Sequence, residues 1–595
     1  MHDSDYQGVG MKKLGFVLVT IILSMNQAAT AGPTEDFAAL LEEHWEWTLA
    51  NSPTMASSLG DRRYNDQWSD QSLVAIDERR NQTREFLRRV YAIHRIGLSE
   101  EDQLNYELFR RSLQDRVDEF QFNGHLLPFY QRGGVQNLDN TTNGIPMATV
   151  SDHEDWLARM GKIDVVIDQA IALAERGRRD GLTMPKILMQ RIPAQIEKQL
   201  VDDPEDSPFY KVFAELPDSF SDEDQSRLRA QARTTIDETV LPAYRKLAKY
   251  FNDTYLPASR ESIGLSALPN GSAWYEQRAR RYTTTRMSPD EIHQLGLAEV
   301  KRIRGEMQEV IDSLDFDGDF QDFLTFLRTD PQFYYDNPDD LLEAYLATSK
   351  RLDPELVHLF GHLPRMPYGV KPIPDSIAPD TTTAYYSRPA ADGSRAGTYW
   401  VNLYKPEVRP KYEIEVLSVH EAVPGHHLQI AIQQELGDLP NFRRFMGFTA
   451  FVEGWGLYSE RLGYDMGLYK DPYSKFGALT YDMWRAVRLV VDTGMHYKGW
   501  TRQQAIDFFK DNAAKTELDI INEIDRYIGW PGQALAYKVG QLRILAIRER
   551  CEVALGDKFD IRAFHDELLG AGALPLDILE QRMDAWVDAT LQSAQ

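Results

Sequence analysis

The chain has 595 residues, of which 43% are hydrophobic and 11% aromatic, so it can bury a large core and is not a disordered protein. Its formal net charge of −25 argues against nucleic acids and anionic membrane surfaces as partners. Its single cysteine, Cys551, cannot form an internal disulfide, and we expect it to be a buried, unreactive thiol in a helix.

The first 31 residues have the features of an export signal. A basic start at 11–13 precedes an apolar run at 14–25, and small residues at 29–31 suit a signal-peptidase cut. The apolar run is too short to span a bilayer, which requires about twenty residues. We therefore predict a signal peptide that begins at Met11 and is cleaved after Ala31, and a periplasmic or secreted protein. No cysteine lies near the cut, so no membrane anchor is expected.

Helical periodicity dominates the mature chain, with apolar residues at intervals of three and four and charged opposite faces. The predicted helices are 37–49, 73–95, 102–120, 152–178, 225–251, 289–314 and 476–498. Ser288 and Glu291 form a predicted capping box at the start of the sixth. A soft boundary near residue 280 separates a predicted N-terminal helical subdomain, 32–280, from a catalytic subdomain, 281–595. A cleft between them would be the usual place for a site.

Three short segments at 366–374, 383–389 and 398–404 are predicted strands. They are rich in aromatic and β-branched residues and are bounded by Pro, Gly and Asp. A strand that precedes a metal-binding helix can pair with an extended peptide along its edge. We predict that Tyr399 to Asn402 forms this substrate-binding edge.

Residues 420–427 read HEAVPGHH, which has the composition of a zinc site. Neutral imidazoles hold Zn²⁺, and an unligated carboxylate can take a proton from water. In a regular helix the later histidines would not reach an ion on His420, so the Pro-Gly pair must distort the helix. We predict His420 and His426 as ligands, with His427 as the alternative to His426, and Glu421 as the general base. The competing interpretation is a kinked core helix with hydrogen-bonded histidines.

A third ligand is expected from a carboxylate on a following helix. Glu453 is flanked by apolar residues and followed by glycine, which suits a buried acid that another helix approaches closely. Glu460 lies on nearly the same helical face and is the rival candidate. The alternative for Glu453 is a salt bridge to an arginine.

A polar stripe crosses the otherwise apolar segment 476–498. Arg485 and Arg488 suit a substrate carboxylate through bidentate hydrogen bonds, and His496 could donate to a developing oxyanion. The alternative is an internal Arg-Asp pair, and Asp492 is expected to orient Arg488 or His496. Tyr537 is predicted to polarise the scissile carbonyl, although a buried tyrosine more often satisfies a core hydrogen bond.

The motif His-Glu-x-x-Pro-Gly-His-His-x-Gln at 420–429 and Glu-Gly-Trp at 453–455 occur together with Leu-Pro-Asn-Gly at 268–271, Ser-Pro-Asp-Glu-Ile-His at 288–293 and Trp-Pro-Gly-Gln-Ala at 530–534. Together they resemble the bacterial domain-of-unknown-function 885 family, over nearly the whole mature chain. The resemblance implies an exported zinc metallopeptidase. More distantly, 487–492 resembles an element of thermostable zinc carboxypeptidases, whose helical, cleft-bearing fold is shared with oligopeptidases. The zinc motif here has two more residues between its histidines than in those relatives.

These observations predict a mostly α-helical, zincin-like peptidase fold with a central cleft and a small sheet before the zinc helix. We expect Zn²⁺ on His420, His426 and Glu453, and oligopeptide substrates. The arginines suggest carboxypeptidase- or dipeptidase-like action. Two alternatives are a zinc hydrolase acting on an ester or a non-peptide amide, and a metal-free periplasmic binding or scaffold protein.

Overall fold

The structure is a computed structural model that describes residues 32–593 apart from 375–377, 379–381, 391, 392, 394 and 438. The predicted signal peptide lies outside the described residues. The fold is mostly helical with one three-stranded sheet, which confirms the predicted class. Within the described part of the chain, no helix has the combination of length and apolar character needed to cross a bilayer.

Before residue 284, three of the predicted helices are present, and two other predicted helical segments are each divided. The bounds are α1 (Pro33–Asn51), α2 (Pro53–Ser58), α3 (Leu73–Ala92), α4 (Glu100–Glu119), α5 (Val150–Met160), α6 (Ile163–Arg179), α7 (Lys186–Met189), α8 (Ile192–Glu197), α9 (Lys211–Ala214), α10 (Asp222–Thr235), α11 (Leu241–Tyr250), α12 (Leu256–Ala258) and α13 (Gly271–Thr283). The predicted helix 152–178 breaks at Gly161, where α5 ends. The segment 225–251 contains a π-helical turn at Ile236–Val240, because Pro242 cannot donate the next helical hydrogen bond.

The later helices carry the predicted site residues. The bounds are α14 (Pro289–Ser313), α15 (Phe320–Thr329), α16 (Pro338–Leu352), α17 (Leu356–Leu359), α18 (Ile414–Glu421), α19 (His426–Glu435), α20 (Asn441–Phe445), α21 (Thr449–Asp465), α22 (Pro472–His496), α23 (Arg502–Asn512), α24 (Glu517–Gly529), α25 (Leu535–Leu555), α26 (Ile561–Leu569) and α27 (Leu576–Ser593). The predicted capping box of Ser288 and Glu291 is present at the start of α14. Cys551 is buried in α25, as expected.

The described strands form one sheet in the order β1-β3-β2. Their bounds are β1 (Tyr368–Pro372), β2 (Ala384–Ser387) and β3 (Gly397–Val401). β1 is parallel to β3, and β2 is antiparallel to β3, so Tyr399 faces Val370 on one side and Tyr386 on the other. The three predicted strands are confirmed with shorter bounds. The expectation that Tyr399 and Asn402 form a free edge is wrong, because β3 is the central strand of this sheet.

Two large hydrophobic clusters form the core. Each joins residues from before and after residue 280, so the predicted division at that point does not separate two independent clusters. Helix α22 packs against α14, α18, α24 and α25, while α21 packs against α18 and α25. Every residue of α22 from Phe476 to His496 is buried. Its polar stripe must therefore find partners inside the protein or face an internal cavity.

Candidate metal centre

The Pro-Gly pair divides the predicted zinc helix into two helices. Helix α18 ends at Glu421 and α19 begins at His426. Pro424 has no N–H to continue the helix, and the N–H of Gly425 instead donates to the carbonyl of Val419 at 3.0 Å. The turn reverses the chain over the end of α18. It therefore brings His426 back towards His420, where a regular helix would separate them.

Two glycines permit this close approach. A Cβ on Gly425 would lie 1.9 Å from the carbonyl oxygen of His420 and 2.4 Å from that of Val419. A Cβ on Gly456, in α21, would lie 2.7 Å from Cε1 of the His420 ring. Trp455 fixes the turn from the same helix, because its Nε1–H donates to the carbonyl of Pro424 at 2.8 Å. The Glu-Gly-Trp segment therefore packs directly against the His-Glu motif.

Three donor atoms converge at the turn. Nε2 of His426 lies 3.6 Å from Oε2 of Glu453, and Nε2 of His420 lies 4.0 Å from the same oxygen. All three ligand atoms lie within 4.8 Å of one another. Zinc bonds of about 2.0–2.1 Å in a tetrahedron separate donors by ~3.4 Å. Two imidazoles and one carboxylate in this arrangement thus fit a zinc ion after small shifts, with a fourth position left for water or substrate.

Glu460, the rival ligand, lies behind the first histidine. Its Oε1 accepts a hydrogen bond from Nδ1 of His420 at 2.8 Å, and it also faces Arg485 at 3.5 Å. A carboxylate on Nδ1 fixes the tautomer that presents Nε2 to a metal. Burial lowers the pKa of His420, which favours the neutral ring that a ligand requires. Glu460 thus orients the ring of His420.

The electrostatic environments of Glu453 and Glu421 differ. Burial alone would raise the pKa of Glu453, but the polar contact with His426 at 3.6 Å and the charge of that ring lower the pKa to about 2, so the carboxylate is ionised. Burial raises the pKa of Glu421 to about 7. Glu421 lines the same cavity but is outside the donor group. A carboxyl group with this pKa can both accept and release a proton near neutral pH.

His427, the alternative ligand, points to the sheet. Its Nε2 bonds to the carbonyl of Met366 at 3.0 Å, and its Nδ1 lies 2.8 Å from the hydroxyl of Tyr386. The Nε2–H is therefore a donor, and the hydroxyl of Tyr386 donates to Nδ1. Burial lowers the pKa of His427 to about 4. Both ring nitrogens are occupied, so the structure brings His426 and not His427 to the donor group.

A cavity of about 310 Å³ opens beside the donors. It is lined by four groups predicted to act there, Glu421, Arg485, Arg488 and Tyr537. The residues of β2 from Ala384 to Tyr386 form another wall. Four residues that were not predicted to act there also line the cavity: Arg132, Trp484, Glu523 and Arg526.

The two predicted arginines have unequal surroundings. Arg488 donates to the hydroxyl of Tyr527 at 2.8 Å and to Glu523 at 3.1 Å, and its guanidinium lies 4.1 Å from the ring centre of Tyr537. Nη1 of Arg488 and Nε of Arg485 are buried without a hydrogen-bond partner among the described residues. Buried guanidinium donors of this kind favour an anionic or carbonyl ligand.

The remaining predicted residues are not brought to the cavity. His496 accepts from the N–H of Leu265 at 3.0 Å through Nδ1 and bonds to the carbonyl of Tyr527 through Nε2 at 3.0 Å. Asp492 does not pair with Arg488 or His496. It accepts from the hydroxyl of Tyr275 at 2.6 Å and from the N–H of Gly532 at 3.0 Å. These two members of the polar stripe hold neighbouring segments in place.

Tyr399 and Asn402 are also outside the cavity lining. Tyr399 is fully buried in β3. The side-chain nitrogen of Asn402 donates to the carbonyls of Ala378 and Thr382 at 2.8 and 3.2 Å. Asn402 therefore supports the segment that leads into β2, and it is β2 that borders the cavity.

Two buried histidines make stability depend on pH. Burial lowers the pKa of His496 and of His565 to about 3, and both rings have each nitrogen hydrogen-bonded. The unfolded chain takes up these protons below its ordinary histidine pKa of about 6.5, whereas the folded chain does not. We expect the free energy of unfolding to fall below pH 6.5 by up to about 1.4 kcal/mol per pH unit for each histidine. Chemical denaturation at pH 7 and pH 5.5 measures this loss.

The replacement His496→Gln provides the control for this prediction. It should destabilise the protein at both pH values, because the hydrogen bonds to Leu265 and Tyr527 change. It should also reduce the difference in the free energy of unfolding between pH 7 and pH 5.5 by the contribution of one histidine. An unchanged pH difference would contradict the neutral, buried state of His496.

Arg132, Glu523 and Arg526 were missed for different reasons. Glu523 and Arg526 are three residues apart on α24 and both shortly precede Tyr527, so a helical-face analysis of that segment could have found them. Arg132 lies in a turn about 300 positions before the metal motif, and no local pattern connects the two.

The structure and sequence resemble bacterial relatives. No curated protein matches the chain. "The crystal structure of the putative lipoprotein from Colwellia psychrerythraea" is similar with 29% sequence identity and a TM-score of 0.90, and the match covers 94% of this chain and 100% of that one. "The structure of a putative lipoprotein of unknown function from Shewanella oneidensis" has 19% identity and a TM-score of 0.70 over 93% of this chain and 100% of that one, which shows likeness of fold alone.

The family described as "Bacterial protein of unknown function (DUF885)" matches residues 53–583. Those residues include the His-Glu motif, the Glu-Gly-Trp segment and every residue that lines the cavity. The chain belongs to the DUF885 family.

Proposed function

We propose that the protein is a zinc-dependent metallopeptidase that hydrolyses peptide bonds in oligopeptides. The observation that carries the proposal is the convergence of His420, His426 and Glu453 within 4.8 Å at a cavity that also contains an unligated carboxylate, Glu421. Catalytic zinc sites combine three protein ligands with an open position and a nearby base. A zincin-like peptidase fold with the cavity as its substrate cleft is part of this proposal.

The residues around the cavity have different roles in the proposed reaction. When bound, zinc would act as a Lewis acid towards the carbonyl and the water. Glu421 accepts the proton of the attacking water and then donates it to the leaving amine, a role for which a pKa near 7 is suited. The phenol of Tyr537 lines the cavity and donates to the developing oxyanion. Glu460 keeps the His420 ring in its ligand orientation through the 2.8 Å hydrogen bond.

Two features of the cavity favour a peptide over other substrates. β2 is an edge strand of the described sheet, and its residues from Ala384 to Tyr386 border the cavity, so an extended peptide can pair with it. Arg485 and Arg488 offer unpartnered buried donors to a substrate carboxylate. Because both arginines line the cavity that contains the metal donors, binding of a terminal carboxylate there would favour carboxypeptidase- or dipeptidase-like cleavage.

The proposal includes an exported protein. The similar protein from Colwellia psychrerythraea is described as a "putative lipoprotein", and the match covers 94% of this chain. The basic, apolar and small-residue order of positions 11–31 agrees with export. Periplasmic or secreted oligopeptides are accordingly the proposed substrates.

Metal content tests the proposal directly. We expect dialysed protein to retain about one zinc per chain by elemental analysis, and to lose both zinc and peptide hydrolysis on treatment with a chelator. Activity should return when zinc is added. Absence of bound metal would favour a binding or scaffold protein, whereas zinc with cleavage of esters and no cleavage of peptides would favour a different hydrolase.

A further inference from the structure

Arg132 reaches the cavity from the N-terminal half of the chain. It lies in a tight turn closed by the hydrogen bond from the N–H of Gly133 to the carbonyl of Tyr130 at 3.2 Å. The preceding residue, Gln131, donates from its side chain to the carbonyl of Asp525 in α24 at 3.1 Å. Gln195 also donates to the carbonyl of Gln131 at 2.7 Å. These contacts fix the turn against α24 and place Arg132 among the cavity-lining residues.

The charges of the cavity are unevenly compensated. Four arginines line it within the described chain: Arg132, Arg485, Arg488 and Arg526. Arg485 faces Glu460 at 3.5 Å, while Arg488 and Arg526 share Glu523 at 3.1 and 3.0 Å. The Arg132 side chain makes no hydrogen bond or ion pair with any residue that the structure describes, although its positive charge acts on the nearby Glu523.

The cavity therefore offers two separate sets of cationic donors to a ligand. One is buried at α22, where Nη1 of Arg488 and Nε of Arg485 have no described partner. The other is the whole guanidinium of Arg132, which is exposed and lines the cavity. An exposed guanidinium is ordinarily solvated at the protein surface and binds no specific ligand. Arg132 differs from that case because its turn is anchored to α24 and its side chain faces the cavity that contains the metal donors.

We propose that Arg132 determines specificity by binding a second carboxylate of the substrate. In this arrangement the α-carboxylate meets Nη1 of Arg488, and the side-chain carboxylate of an acidic C-terminal residue meets Arg132. The preferred substrates are then short peptides that end in Asp or Glu. This inference rests on the proposed function for the cleavage step but not for the binding step.

Binding is measured on the full-length zinc-loaded Glu421→Gln variant, in which the proposed chemistry slows turnover by about 10²–10⁴-fold, so the peptide stays largely intact during the measurement. The probes are N-acetylated tripeptides Ala-Ala-Glu and Ala-Ala-Gln, which differ only in charge. We expect the Glu-ended peptide to bind more tightly by about tenfold in isothermal titration calorimetry, as one charge-assisted hydrogen bond provides. Addition of Arg132→Gln should remove that difference, and Arg132→Lys should keep part of it.

The matched control is Arg245→Gln. Arg245 is exposed on α11 and does not line the cavity, so its replacement should preserve the preference for the Glu-ended peptide. Equal binding of the two peptides, a preference that survives Arg132→Gln, or no binding of either peptide would overturn the inference.

Turnover by the wild-type protein separates the two proposals. Hydrolysis of both peptides without a preference supports the proposed peptidase activity and overturns the proposed role of Arg132. A preference in binding without hydrolysis supports the proposed role of Arg132 and overturns the proposed peptidase activity.

Discussion

Replacing Glu421 with Gln is expected to lower the rate of peptide hydrolysis by about 10²–10⁴-fold while the zinc content stays unchanged. The amide retains the shape of the side chain but cannot accept the proton of the attacking water. Glu421 lies outside the donor group formed by His420, His426 and Glu453, so its loss does not remove a ligand. Steady-state hydrolysis of an oligopeptide and elemental analysis of the same preparation measure the two quantities.

Two further replacements make this result specific. Glu407→Gln changes an exposed glutamate in the same half of the chain and should leave both quantities unchanged. Glu453→Gln removes a donor oxygen and should reduce zinc content as well as hydrolysis. Normal hydrolysis by the Glu421→Gln protein would exclude this residue as the base.

Replacing Gly425 with Ala is expected to abolish zinc binding. The added Cβ would lie 1.9 Å from the carbonyl oxygen of His420 and 2.4 Å from that of Val419, and both obstacles are backbone atoms of α18. Neither can rotate away, so the turn must open and separate His426 from His420. We also expect a loss of about 1–3 kcal/mol in the free energy of unfolding, the usual effect of overpacking a buried site. Elemental analysis and urea denaturation provide the measurements.

The matched control is Gly305→Ala in α14, where an added Cβ meets no atom within 4 Å. Zinc content should stay constant there, and stability should rise by up to about 1 kcal/mol, because alanine favours a helix interior over glycine. A Gly425→Ala protein with full zinc content would show that the turn can relax without moving the histidines, which would contradict its proposed role.

Local sequence patterns predicted most helices and the three strands. The capping box at Ser288 and the apolar periodicity of α14 and α22 are properties of short segments, and both helices form near their predicted bounds. The need for a distortion at Pro424 also followed from a local rule, since proline lacks the donor that the helix requires. The pattern did not show that the distortion separates two helices.

Contacts between distant parts of the chain determine the features that local patterns did not predict. The strand order β1-β3-β2 places the third strand in the middle, and no feature of 398–404 specifies which neighbours it pairs with. The helical wheel placed Arg485, Arg488, Asp492 and His496 on one stripe, but only the arginines reach the cavity. Asp492 and His496 lie further along α22, where Tyr275 and Leu265 from the N-terminal half take up their hydrogen bonds.

The hydrogen bond from Trp455 to the carbonyl of Pro424 has a mechanical consequence. Helix α21 carries Glu453 and, two residues later, the indole that holds the turn before His426. A rigid displacement of α21 during thermal motion therefore carries a carboxylate and an imidazole in the same direction. The distance between them changes less than the distance of either from the sheet or from α24. The spacing of the three donor groups can remain constant while the opposite walls of the cavity adapt to chains of different size.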